Sequence, residues 1–298
     1  MKVLVTGGTG FIGSNLALEL KSQGHEVLIT GHDAEQPMPE FQKLHTPFIG
    51  LDFEKIGKID VLFHQAAIND TTFMNKEEML RANLHSSIAL FNHVLKNGCK
   101  RIVYASSTAA YGNAPVPFKE NGIMTPLNPY GESKKLLDEQ AMELAKKHEG
   151  VVIVGLRYCN VYGPRENHKG KRASMIFQLA QQINKGNPKI FKWGEQKRDY
   201  IYVKDVVKAN LLAAKAKQSC VVNCGRGKPT SFNDIIKTLN TIMNAKRQTE
   251  YIDNPYADKY QNHTECDMTL AKEKIGFVPE FDIETGIKDY FDSGFLTS

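Results

Sequence analysis

The chain has little of what a membrane protein, a disulfide scaffold or a metal module would carry. No apolar run in its 298 residues approaches the roughly 18 to 20 needed to span a bilayer, which excludes a helical membrane protein. No basic leader and no cleavable apolar segment precede Met1 to Thr6, which read directly as a core strand, so a cytoplasmic location is expected. The five cysteines, Cys99, Cys159, Cys220, Cys224 and Cys266, are scattered, with no CxxC pair and no ligand-spaced histidines beside them. Reduced thiols and no structural metal are the expectation. Repeats and low-complexity tracts are missing too. The formal net charge is +5, but Lys and Arg interleave with acids instead of forming one block, which argues against nucleic acid as a partner.

What is present is a regular alternation. Short runs rich in Val and Ile occur at Val3 to Val5, Val27 to Ile29, Val61 to Phe63, Ile102 to Tyr104 and Val151 to Leu156. Between most of them lie segments of helical apolar spacing: Ile12 to Leu20, Met79 to Leu95 and Leu136 to Leu144. Continuous hydrophobic strands are buried on both faces, which requires helices on both sides of a parallel sheet. The fold class is therefore α/β: a doubly wound parallel Rossmann sheet with a smaller C-terminal lobe. Residues 1–165 are assigned to the first domain, with 199–224 returning to it, and 166–298 mainly to the lobe. Helices are expected there near Ala173 to Asn184, Ser231 to Met243 and Ile283 to Phe291.

The strongest local signal is Thr6-Gly7-Gly8-Thr9-Gly10-Phe11-Ile12-Gly13, a glycine-rich turn between a strand and an amphipathic helix. Gly7 and Gly10 let the chain turn tightly and bring backbone N–H groups to a pyrophosphate, while Gly13 lets the helix pack close to the sheet. In that context the turn reads as a dinucleotide cradle, with Phe11 and Ile12 at the helix start. The second strand ends at Gly31-His32-Asp33 and not at an acidic residue, with Asp33 left to serve a ribose 2′-hydroxyl from one turn later. Gly31 leaves room for a 2′-phosphate and His32 can donate to it, so the expectation leans to NADP over NAD. Asp52 and Phe53 are expected at the adenine, and Gln65, Ala66 and Ala67 at the cofactor edge of the next strand, with Asn83 behind them.

Tyr130 and Lys134 stand four residues apart, on one face of a helix that continues through Leu144. A phenol is a poor base at neutral pH, but a nearby ammonium and an oxidised nicotinamide favour its ionised form. Tyr130 can then take a proton from a substrate alcohol as hydride leaves carbon. Ser107 ends a strand at the carboxyl edge of the sheet, where it can bond both the substrate oxygen and Tyr130.

These motifs together resemble the extended short-chain dehydrogenase/reductases that act on nucleotide sugars. The stretch from Leu156 to Glu166, then His168-Lys169-Gly170 and Ala173-Ser174-Met175, resembles the ADP-glycero-manno-heptose 6-epimerases. So do Arg198 to Val203 and Tyr260-Gln261. The resemblance implies that hydride leaves carbon 6 of the sugar and returns to the opposite face, with Lys169 as a second acid/base beside Tyr130. It also implies that Asn160, Ser174, Gln178, Arg198 and Tyr260 line the sugar-nucleotide site, and that the protein forms homo-oligomers. The chain departs from the family at the end of the second strand and at Cys159, where Phe is usual. A 4,6-dehydratase would want acids after the strand-end serine, and Thr108-Ala109-Ala110 supplies none. A UDP-hexose 4-epimerase shares the cradle, Ser107, Tyr130 and Lys134, yet has no need of Lys169. A non-catalytic dinucleotide sensor would typically have lost the Tyr-Lys pair.

Overall fold

A computed structural model describes residues 1–31, 36, 38–44, 52–255 and 261–297. The chain opens with β1 (Lys2–Thr6), α1 (Phe11–Ser22), β2 (Glu26–Thr30), β3 (Gln42–Leu44) and β4 (Val61–His64). It continues through α2 (Lys76–Leu80), a π-helical stretch at Arg81–His85, α3 (Ser86–Lys96), β5 (Arg101–Ser107), α4 (Pro129–Lys147), β6 (Val152–Tyr158) and β7 (Asn160–Tyr162). After that come α5 (Met175–Lys185), β8 (Lys189–Phe191), β9 (Lys197–Tyr202), α6 (Val203–Ala213), β10 (Cys220–Cys224), β11 (Pro229–Ser231) and α7 (Phe232–Ile242). β12 (Glu250–Ile252), α8 (Thr269–Ile275) and α9 (Ile283–Asp292) complete the order.

Seven parallel strands form one sheet in the order β10-β6-β5-β4-β1-β2-β3. Alternate side chains of each strand enter different cores. Val3, Val5, Ile29, Phe63 and Val103 pack with Leu16 and Ala17 of α1 and Val206 and Ala209 of α6. Leu4, Leu28, Leu62, Ile102 and Tyr104 pack on the other face with Phe91 of α3 and Leu137 and Ala141 of α4. Burial on both faces is why these strands read as unbroken apolar runs. The strand order reverses between β1 and β4, which opens a ligand crevice above their carboxyl ends.

A second core holds Tyr162, Phe177, Tyr200, Tyr202, Phe232, Ile235 and Tyr290, where α5, α7 and α9 meet β7 and β9. Within 199–224, β10 joins the main sheet beside β6, whereas β9 lies in a three-stranded sheet between β11 and β7. Among the described residues, no helix is long and apolar enough to cross a membrane.

The expectation of five reduced thiols needs correction, because Cys159 and Cys266 are paired as a disulfide across 107 residues of sequence. Their scattering along the chain carried no such signal; the fold closes the gap by laying the segment before α8 beside the β6–β7 junction. Cys99, Cys220 and Cys224 are free.

Candidate active site

The cradle follows from the glycines. Gly7 has φ 65°, and a Cβ there would lie 2.9 Å from the Ala66 nitrogen. A Cβ on Gly13 would overlap the Gly7 carbonyl, so only glycine lets α1 start this close to β1. The first turn of α1, with Phe11, Ile12 and Gly13, has no side-chain cap and no acidic residue. By contrast α4, α5, α7 and α9 are capped by Asn128, Ser174, Ser231 and Asp282. An uncapped helix start over a glycine floor, beginning with the Gly10 turn, fits an external pyrophosphate.

Around the cradle the structure alters several readings. A Cβ on Gly31 would overlap the Thr9 side chain, so this position accepts glycine because the strand end packs on the cradle. His32 lies outside the described residues. Asp52 is exposed and caps a short turn through the Glu54 N–H at 3.2 Å, while the Phe53 ring packs on His93 at 5.2 Å. The Gln65 side chain closes a ring with Tyr158 and Asn210, at 2.8 to 3.0 Å per bond, which ties the end of β4 to α6. Ala66 and Ala67 follow it at the cradle's edge, the Ala66 N–H donating to Thr6 Oγ1 at 3.3 Å. Asn83 is buried and its amide grips both N–H and C=O of Ile68, so it braces this loop instead of offering its side chain to a cofactor.

The reacting centre sits at the carboxyl end of β5. Asn128 caps α4 by accepting from the Gly131 N–H at 2.9 Å, and Pro129 occupies the first turn. A Cβ on Gly131 would overlap the Ala109 carbonyl, so this glycine lets α4 abut the turn after Ser107. Ser107 Oγ accepts the Ala109 N–H at 3.1 Å and stands near enough to the Tyr130 phenol to favour its ionised form. Lys134 is 2% exposed; its ammonium donates to the Ala105 carbonyl at 2.7 Å and lies 5.8 Å from the Tyr130 ring centre. Burial pushes the Lys134 pKa down to about 8, and Asp138 opposes that fall. The Tyr130 phenol is pushed up by burial, only partly offset by Ser107. The expected acidification by Lys134 is not among the influences on the phenol in the protein alone.

Behind Lys134 runs a buried polar network that sequence reading missed. Asp138 accepts from Tyr104 at 2.9 Å and from Arg157 Nε at 2.8 Å, and Arg157 reaches the Tyr111 hydroxyl at 2.8 Å. Burial of the cation is compensated by this carboxylate. The only available signal was the one-turn spacing of Lys134 and Asp138 on α4.

A cavity of about 290 Å³ opens beside the second core, lined by Asn160, Lys169, Ser174, Arg198, Arg172 and Phe232 among others. Four residues expected to bind substrate or transfer protons, Asn160, Lys169, Ser174 and Arg198, therefore meet in one place, with the cation Arg172 added. The Asn160 amide donates to the Asp199 carbonyl at 3.1 Å, and the Arg198 guanidinium stacks 5.8 Å over Phe232. Gln178 does not line the cavity; its amide turns to the Ala173 carbonyl at 2.7 Å. Tyr260 lies outside the described residues. Lys169 is half-buried and its ammonium stands 5.1 Å from the centre of the Phe11 ring, which joins the cavity to the cradle. Its pKa is lowered by burial, with Glu166 pulling the other way.

Cys159, Asp199 and Cys266 also bring ligating atoms within 4.8 Å of one another. That cluster is internally satisfied, because the sulfurs are paired and the Asp199 carboxylate accepts three backbone N–H groups, from Arg226, Gly227 and Cys266.

Sheet and cradle are those of a dinucleotide-dependent enzyme. The comparisons agree: residues 3–225 match the NAD dependent epimerase/dehydratase family, and the chain belongs to it. An ADP-L-glycero-D-manno-heptose-6-epimerase from Helicobacter pylori is 34% identical, over 98% of this chain and 95% of its own, with a TM-score of 0.89. A UDP-glucose 4-epimerase from Thermotoga maritima is 30% identical over 99% of both chains, with a TM-score of 0.86. MoeE5, solved with UDP-glucose and NAD, is 27% identical over 98% of both chains, with a TM-score of 0.86.

Proposed function

We propose that the protein is an NAD(P)-dependent nucleotide-sugar epimerase whose best-supported substrate is ADP-glycero-manno-heptose, inverted at carbon 6. The observation that carries this reading is the meeting of Lys169 with Asn160, Ser174 and Arg198 in one cavity, with the Lys169 ammonium also over the ring of Phe11 in the cradle. Inverting a carbon by oxidation and re-reduction needs a proton carrier on each side of it, and Tyr130 and Lys169 are two such groups on different lobes. When bound, the nicotinamide supplies the place to hold hydride. Tyr130 exchanges the alcohol proton, Ser107 orients that oxygen, and Lys134 fixes a positive charge beneath the phenol. Arg198 and Arg172 supply cations for a diphosphate.

The absence of an acid at the end of β2 supports NADP. The NAD carried by MoeE5 supports NAD. Chromatography of the nucleotide released on denaturation decides between them. Self-association and a cytoplasmic location are part of the same proposal, the former read by light scattering.

The test is incubation of the purified protein with ADP-heptose and, separately, with UDP-hexoses, followed by analysis of the epimers. Inversion of the heptose supports the reading. Turnover of UDP-hexoses alone overturns it in favour of a 4-epimerase, and no inversion of any sugar nucleotide overturns both.

A further inference from the structure

We propose that Glu166 is the positioning residue that holds Lys169 and Ser174 at the substrate cavity. The inference rests on the reading of Lys169 as an acid/base and names the group that keeps it in place.

Glu166 has no exposed surface. Its Oε1 accepts from the Gly163 N–H at 3.1 Å and from the Ser174 hydroxyl at 2.8 Å, and its Oε2 accepts from the Ser174 N–H at 2.6 Å. Its own carbonyl accepts from the Lys169 N–H at 3.0 Å. One side chain therefore closes the whole excursion from Gly163 to Ser174, including the short helical turn Asn167–Arg172 on which Lys169 is carried. Within that excursion Gly170 has φ 55°, so the chain reverses directly after Lys169. Asn15 and Gln36 hold the Pro164 and Arg165 carbonyls and Arg172 reaches Asn69, but it is the Glu166 carboxylate that bonds both ends of the excursion, at Gly163 and Ser174.

Ser174 shows the same control. Its hydroxyl donates to Glu166 and accepts from the Phe177 N–H at 3.1 Å, capping α5. Its one proton is committed to the carboxylate, so Glu166 decides which face of Ser174 the cavity sees.

The charge of Glu166 matters as much as its reach. Burial favours the neutral forms of both Glu166 and Lys169, and each one's charge opposes that tendency in the other. The other groups facing the pair are Arg172, which disfavours the Lys169 cation, the Phe11 ring, which favours it, and the Tyr290 hydroxyl beside Glu166. Removing the carboxylate charge leaves Lys169 with burial and Arg172 against its ammonium.

The experiment compares full-length wild type with Glu166→Gln, reading the reactivity of Lys169 toward acetic anhydride against pH by peptide mass spectrometry. This readout needs no substrate. The expected result is that Lys169 titrates about one unit lower in the variant, about a tenfold gain in amine reactivity at a fixed pH below its midpoint. The corresponding limb of the kcat/KM profile moves the same way. An unmoved Lys169 titration in a variant that still retains its nucleotide overturns the proposal. If the titration moves but no sugar nucleotide is epimerised, the epimerase reading fails and the Glu166–Lys169 coupling stands. Ser174→Ala keeps the carboxylate charge; a shift there as large as in Glu166→Gln assigns the effect to loop packing and also overturns the proposal. Should Glu166→Gln not fold, Lys169→Met asks the reciprocal question. With the ammonium gone, the Glu166 carboxyl is expected to protonate at higher pH, seen by isotope-edited infrared spectroscopy, and no change contradicts the proposal.

Discussion

The Lys134 ammonium donates to the Ala105 carbonyl at 2.7 Å from one helical turn behind Tyr130, fixing a cation under the phenol by a bond to the sheet. Under the proposed function this anchored cation holds charge in one place while Tyr130 and Ser107 meet the alcohol.

Tyr130→Phe removes one oxygen and leaves the ring beside the Lys134 ammonium. Turnover is expected to fall by about 10²- to 10⁴-fold, the usual range for one acid/base group. Nucleotide content after purification is expected to be unchanged, because nothing in the cradle depends on the phenol. A variant with wild-type kcat contradicts the assignment.

Gly13→Ala places a methyl group against the Gly7 carbonyl and forces α1 away from β1. Loss of bound nucleotide is expected with the sheet retained, measured as the nucleotide-to-protein ratio beside the circular dichroism spectrum. Full occupancy in this variant contradicts the reading of the glycine floor as the pyrophosphate seat.

Asp138→Ala leaves the Arg157 guanidinium, 3% exposed, without its carboxylate. Breaking a buried pair by removing one partner typically destabilises by about 3 to 5 kcal/mol. Urea unfolding of the nucleotide-free protein measures it. A loss below about 1 kcal/mol, the range of surface ion pairs, shows that the network contributes little.

His64 is buried between Thr6 Oγ1 at 2.7 Å and Ser87 Oγ at 2.9 Å. Thr6 accepts from Ala66 N–H and Ser87 donates to the Asn83 carbonyl, so the network assigns a neutral imidazole that accepts at Nδ1 and donates at Nε2. Burial first, and then Lys134, lower its pKa from 6.5 to about 3. The folded protein thus refuses a proton that the unfolded chain takes up as pH falls below 6.5. Stability from this group is complete above pH 6.5 and declines progressively toward pH 3. His64→Asn is expected to flatten the fall in urea midpoint between pH 7 and 5, and an identical slope in both proteins contradicts the assignment.

The parts of the fold and site that were legible are those encoded over short distances. The glycine turn needs only consecutive residues, Tyr130 and Lys134 share a helix face at one-turn spacing, and Ser107 ends an apolar run. Less was legible where topology closes long gaps. Arg157 finds Asp138 because β6 and α4 pack together, and Cys159 finds Cys266 because a late segment returns to the β6–β7 junction. The helix read from Met79 to Leu95 runs through, but it widens into a π-helical stretch at Arg81–His85, where Asn83 grips the loop after β4; apolar spacing alone does not register that widening. Likewise, the burial that raises Tyr130 belongs to its surroundings and not to its motif.

Epimerisation in deuterium oxide tests the central claim most directly. If Tyr130 moves the alcohol proton while hydride is held on the nucleotide and returned, the inverted carbon of the sugar keeps its original hydrogen, and mass spectrometry of the product finds protium there. Deuterium at that carbon would show proton abstraction and return through solvent, and would contradict the account.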